Sequence, residues 1–122
     1  MLRRSALLFV VLSVPTCGRG SATPPPPPAA THTVTIEAMR FTPETLTVRP
    51  GDTVVWMNKD LFAHTATTSA AGFDSREIAP GQSWSHTLPS AGDFPYVCTF
   101  HPTMKALVRV QSRLPSSRNA AW

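Results

Sequence analysis

Between Thr31 and Gln111, apolar residues recur at every second position in runs only a few residues long, and turn signals separate most of these runs. Val34, Ile36 and Ala38 alternate with Thr33, Thr35 and Glu37, and Leu46 and Val48 alternate with Thr45 and Thr47. Further short runs follow: Thr53 to Met57 around Trp56, Ser83 to Leu88 around Trp84, Phe94 to Cys98, and Ala106 to Val110. A spacing of two puts alternate side chains on one face of a strand, whereas a helix needs a spacing near 3.6. Pro50-Gly51-Asp52, Pro80-Gly81 and Ala91-Gly92-Asp93 supply the preset angle or the free backbone of a tight reversal. The pattern predicts an all-β fold, an antiparallel sandwich or barrel of about 7–8 strands. Leu61 to Ala79 lacks the alternation, and a short helical turn near Asp74 to Ile78 is left open there.

The two ends read differently. Met1-Leu2-Arg3-Arg4 and the apolar run from Ala6 to Val14 are too short to span a bilayer and suit a secretory signal peptide over residues 1–16. The protein is therefore expected to be exported, to the periplasm or cell envelope. The paired arginines lack the surroundings of a twin-arginine signal and read as a plain charged leader. Cys17, after Val14-Pro15-Thr16, stands where a lipoprotein is cut and acylated, which makes it a candidate lipidation site and membrane attachment. An ordinary cut between Thr16 and Thr23 is the competing reading. Residues 17–30 form a Pro-rich linker, in which five consecutive prolines at about 3.1 Å each span roughly 15 Å. Residues 112–122 show no periodicity and are expected to be a disordered tail. Residues 31–111 remain for one small domain, near the lower size limit of a self-sufficient core.

The formal charge of +4 comes from the ends. Within residues 31–111 six basic residues face seven acidic ones, with no clustered Lys or Arg, so a nucleic-acid surface is not expected.

The chemistry concentrates in one loop. Cys98-Thr99-Phe100-His101-Pro102-Thr103-Met104 spaces a thiol, an imidazole and a thioether two residues apart, and His64 lies far upstream in another loop. A thiolate sulfur favours copper or zinc over hard cations, two imidazoles are borderline donors, and a methionine adds a long, weak axial contact that tunes potential. Such a set accepts both copper oxidation states with little rearrangement. The expected cofactor is one type 1 copper ion held by His64, Cys98, His101 and Met104, working in electron transfer with no bond in a substrate made or broken. Zinc stays open, because Cys with two His also suits it. Two cysteines in an exported chain first suggest a disulfide. Pairing Cys17 with Cys98 would withdraw the thiolate from between two other donors, so Cys98 is taken as a ligand.

The domain resembles the small blue copper proteins, cupredoxins of the amicyanin and plastocyanin kind. The resemblance rests on Val54-Val55-Trp56-Met57-Asn58 followed by His64, on Phe73-Asp74-Ser75, on Pro80-Gly81-Gln82-Ser83-Trp84, and on Gly92-Asp93-Phe94-Pro95-Tyr96-Val97-Cys98 through Met104. It implies a cupredoxin-like Greek-key β-sandwich, and electron passage through the His101 imidazole edge. It further implies that Asn58 helps tie the two ligand loops together and that Thr99 donates a backbone hydrogen bond toward the sulfur, roles of the kind that orient ligands. Phe100 stands where amicyanin carries a proline, while Pro102 is retained, and no acidic docking patch is evident.

Leu61, Phe62, Ala63 and Pro102 flank the two histidines and form a candidate docking patch for a redox partner, a cytochrome c or a dehydrogenase or oxidase, with simple loop packing as the alternative. The carrier itself is expected to be a monomer. His86 reads as structural, His32 as a solvated residue, Met39 and Met57 as packing residues, and Trp56 and Trp84 as core or near-core. A copper storage or delivery protein is the main rival, although such proteins expose several methionines or histidines. A multicopper enzyme would need extra His-x-His ligands, which the sequence lacks.

Overall fold

The computed structural model describes Gly18, residues 20–69 and residues 72–112. The leader, Cys17 and residues 113–122 lie outside the described residues, so the expectations for signal, lipidation and tail fall there. Residues 20–30, the described part of the proline segment, are all exposed.

Eight strands and no helix occur among the described residues: β1 (Thr31–Glu37), β2 (Arg40–Thr42), β3 (Thr45–Val48), β4 (Thr53–Asn58), β5 (Thr67–Thr68), β6 (Ser83–Thr87), β7 (Gly92–Val97) and β8 (Lys105–Val110). One sheet runs β2-β1-β4-β6 and the other β3-β8-β7-β5. The alternation in the sequence is the alternation of burial. Val34 and Ile36 of β1, Val54 and Trp56 of β4, and Tyr96, Ala106, Val108 and Val110 of β7 and β8 point into the shared core. Trp56 is fully buried at its centre, with Phe73, Trp84 and Tyr96 packed around it at ring-centroid distances of 5.1, 5.4 and 5.7 Å.

The turns follow their residues. The Asp52 amide bonds the Arg49 carbonyl across Pro50-Gly51, and the Gln82 amide bonds the Ala79 carbonyl across Pro80-Gly81. Each turn places Pro second and a glycine at positive φ third (91° and 77°), the arrangement of a type II turn.

The sheets are mixed, not purely antiparallel: β1 pairs in parallel with β4, and β3 with β8. Alternation reports which face a residue occupies and carries no information on strand direction, so the crossover from one sheet to the other is invisible to it. Residues 74–78 form no helical turn, because Asp74 and Ile78 are drawn into bridges with Thr67 and His64. Met39 and Met57, expected to pack, are exposed on the surface. His32 is not simply solvated, since its Nε2 lies 2.9 Å from Asp52 Oδ2.

The architecture gives the molecule two poles. β1 and β4 start together at Thr31 and Thr53, where the proline segment leaves, and β4, β7 and β8 present their opposite ends, Asn58, Val97 and Lys105, to the loops that carry the candidate ligands.

Candidate metal centre

Two consecutive turns build the ligand loop. The His101 amide bonds the Cys98 carbonyl at 3.2 Å, the Met104 amide bonds the His101 carbonyl at 2.9 Å, and the Cys98 amide bonds the Met104 carbonyl at 3.1 Å to close the loop onto β8. Two residues between successive ligands is therefore the spacing of two i→i+3 turns placed end to end, which brings their end residues back toward one point. His64 arrives from the β4–β5 connection. Its backbone exchanges hydrogen bonds with Ile78, at 3.1 and 2.7 Å, which fixes the residue although it belongs to no strand.

His64, Cys98 and His101 offer donor atoms that all lie within 4.8 Å of one another. His64 Nδ1 stands 3.7 Å and His101 Nδ1 3.8 Å from Cys98 Sγ. His64 and Cys98 are fully buried, Met104 is buried, and the His101 ring is half-buried at the surface. One imidazole thus reaches the outside from an otherwise enclosed cluster.

Asp60 determines which nitrogen of His64 faces the sulfur. A carboxylate can only accept, so His64 Nε2–H donates to Asp60 Oδ2 at 2.8 Å, and the neutral ring then has its lone pair on Nδ1. The same carboxylate accepts the Ala38 and Met39 amides at 2.7 and 3.0 Å. Burial pushes the Asp60 carboxyl up, but the bonds from Met39, His64 and Ala38 outweigh it and hold the group below the ordinary carboxylate range. On the other side of the cluster, the Thr65 amide donates to Cys98 Sγ at 3.4 Å, a bond that suits a thiolate.

Asn58 and Thr99 stand differently from the roles implied by the resemblance. Asn58 Nδ2 donates to the Phe62 and Ile78 carbonyls at 2.7 and 2.9 Å and Oδ1 accepts the Asp60 amide, so Asn58 braces the His64 loop against the Ile78 segment and does not bridge to the Cys98 loop. The Thr99 amide donates to Thr65 Oγ1 at 2.8 Å, not to the sulfur. Thr65 supplies both the tie between the ligand loops and the amide directed at the sulfur. Thr65 and Asp60 were absent from the sequence expectations: a backbone amide leaves no trace in residue type, and Asp60 reads as one more loop charge. Its place four residues before His64 was the available signal.

At the rim, Leu61 and Phe62 are 89% and 64% exposed, and Phe100 joins them at 51%. Pro102 is exposed and Ala63 is half-buried.

Residues 28–111 match the model of the copper-binding proteins of the plastocyanin/azurin family. The chain belongs to that family. Amicyanin of Paracoccus denitrificans is 32% identical over 83 residues, covering 64% of this chain and 63% of that protein. Plastocyanin of Scenedesmus fuscus is 31% identical over 87 residues, covering 61% of this chain and 89% of that protein. The chain thus spans 63% of the length of the amicyanins it matches. Among solved structures, a Cu(I) amicyanin variant aligns with a TM-score of 0.62 at 30% identity, over 65% of this chain and 80% of its own. A copper-containing nitrite reductase from Thermus scotoductus aligns with a TM-score of 0.64 at 26% identity, over 77% of this chain but 25% of its own. Within this copper-binding family, His64, Cys98, His101 and Met104 form a candidate type 1 copper site. The donors fit the metal: one sulfur and two imidazole nitrogens converge, with His64 already turned Nδ1-inward.

Proposed function

We propose that the protein is a one-electron carrier of the exported compartment, with His64, Cys98, His101 and Met104 as ligands of one type 1 copper ion. The observation that carries this reading is the buried convergence of His64 Nδ1, Cys98 Sγ and His101 Nδ1, from which the His101 ring alone extends to the surface. Bound copper supplies a one-electron couple. The chain's own groups do the rest. Asp60 and Thr65 hold the donors in place from outside, so little rearranges when charge changes. The apolar rim of Leu61, Phe62, Phe100 and Pro102 brings a redox partner within reach of the His101 edge, the route implied by the likeness to amicyanin and plastocyanin. The likeness to amicyanin and plastocyanin favours a carrier over an enzyme. Storage or delivery is the alternative, and it is disfavoured because Met39 and Met57, the exposed methionines, lie outside the donor cluster.

The same reading makes residues 1–16 a signal, Cys17 a lipid anchor and residues 17–30 a spacer. The domain, residues 31–111, is then held off a membrane with its metal pole facing away, because the spacer leaves from the opposite pole. Mass spectrometry of the mature N-terminus tests the anchor, and an unmodified first residue beyond Cys17 would exclude it. Protein-film voltammetry of the copper-loaded protein tests the carrier: a reversible one-electron wave is expected, and release of Cu(I) to the solution on reduction would favour delivery.

A further inference from the structure

Beside the ligand loop lies a cavity of about 260 Å³ with two methionines on its wall. Met104, the candidate axial ligand, is 5% exposed, whereas Met39, in the turn between β1 and β2, is 38% exposed. One thioether belongs to the metal centre and the other to solvent, and the cavity is the space they share. Phe41 is its buried apolar wall, and the exposed cations Arg40 and Lys105 line it with one carboxylate, Glu44. None of Leu61, Phe62, Phe100 and Pro102 lines it, so it opens apart from the apolar rim. The turn itself does not explain a methionine at position 39. Glu37 pairs with Arg40, which leaves a two-residue hairpin loop with Ala38 and Met39 both at positive φ (51° and 59°), a loop that favours Asn-Gly. Asp60 offsets the strain by accepting both amides, and the same carboxylate bonds His64, so Met39 is tied in place relative to the donor cluster.

We propose that Met39 is a capture residue for incoming Cu(I), which it passes across this cavity to Met104 and so to the buried donors; the proposal rests on the copper reading. A thioether is a soft donor that selects Cu(I) over Cu(II). One thioether at the surface holds the ion only weakly, which suits transfer and not storage. With copper on Met39 the next step is intramolecular, at the high effective concentration of two groups on one cavity wall. Arg40 and Lys105 repel a bare cation and attract an anion, so the source that fits is Cu(I) in an anionic complex. The bonds from copper to that carrier break as the bonds to the Met39 and then the Met104 sulfur form. Copper stays Cu(I) throughout, and Cys98 binds it as thiolate, any thiol proton passing to water.

The test is the rate at which the metal-free protein takes up copper. Cu(I) is supplied as its anionic bicinchoninate complex, whose loss of colour reads the transfer. Met39→Leu is expected to slow uptake about 10-fold or more while the final amount bound stays at the wild-type value. Met39→Gln, which keeps the length of the side chain and lacks the sulfur, is expected to do the same. Met57→Leu is the control, since Met57 is also 38% exposed but lies on β4 between the buried Trp56 and Asn58, and it is expected to load at the wild-type rate. Cu(II), which has little use for a thioether, is expected to enter all the variants at the wild-type rate, read from the growth of the thiolate-to-copper band. Wild-type Cu(I) uptake in either Met39 variant overturns the proposal. So does a slowing shared by Cu(II), which would place the effect in the fold, or by Met57→Leu, which would place it in surface methionines at large. A wild-type protein that takes up neither ion would sink the copper reading itself, and the route with it.

Discussion

Asp60 Oδ2 lies 2.8 Å from His64 Nε2, and the same carboxylate holds the amides of Ala38 and Met39, two residues at positive φ in the turn between β1 and β2. A left-handed turn of non-glycine residues is strained, and the carboxylate that stabilises it also sets the face His64 presents to Cys98. Asp60→Asn is therefore expected to lower metal affinity about 10–100-fold while the metal-free protein stays folded. Competition titration against a chelator measures the first, circular dichroism the second. Wild-type affinity would mean that the bonds of Ile78, Asn58 and Thr65 orient the His64 loop without the Asp60 carboxylate.

Trp56 is the centre of the core and is fully buried, edge-on to Tyr96 with ring centroids 5.7 Å apart. Trp56→Ala is expected to cost about 3–5 kcal/mol in urea unfolding of the metal-free protein. Trp56→Phe is expected to cost clearly less, since a phenyl ring refills much of the volume that alanine leaves empty. Equal losses would mean that ring packing against Phe73, Trp84 and Tyr96 is not what Trp56 contributes.

Asp52 gives the fold an acid limit. Hydrogen bonds from the Ala30 and Arg49 amides and from His32 lower its carboxyl from 3.8 to about 2. A depressed carboxyl stabilises the fold above its unfolded pKa and loses that contribution as pH falls through the folded one, here between about 4 and about 2. The loss is about 2 kcal/mol, readable as a falling urea midpoint across that window. Asp52→Asn is expected to flatten this limb, and a limb of unchanged height would assign it to other carboxyls.

The face around His101 is apolar and uncharged at Leu61, Phe62, Phe100 and Pro102. Electron self-exchange between two copper-loaded molecules is expected to change little as the Debye length contracts from about 30 to about 10 Å. Phe62→Glu is expected to slow self-exchange by placing like charges face to face, with salt restoring part of the rate. A Phe62→Glu protein that exchanges at the wild-type rate would move the docking face elsewhere.

What the sequence made legible follows from what alternation encodes. The long strands were readable because Val34 and Ile36, or Val54 and Trp56, share a face two residues apart. β2 and β5, of 3 and 2 residues, are too short to alternate. The parallel pairing of β1 with β4 depends on a crossover that no local pattern records. At the metal pole the donors were legible because side-chain type is their function. The amide of Thr65 and the shared carboxylate of Asp60 were not, because they act through backbone direction and tertiary proximity.

Adding Cu(II) to the purified metal-free protein, and recording its visible and electron-paramagnetic spectra, tests the copper reading most directly. An intense thiolate-to-copper band with a narrow hyperfine splitting is expected; Cys98→Ser should lose that band, and Met104→Leu should keep it at a raised potential. A colourless product with an ordinary tetragonal copper signal, or colour that survives Cys98→Ser, would contradict it.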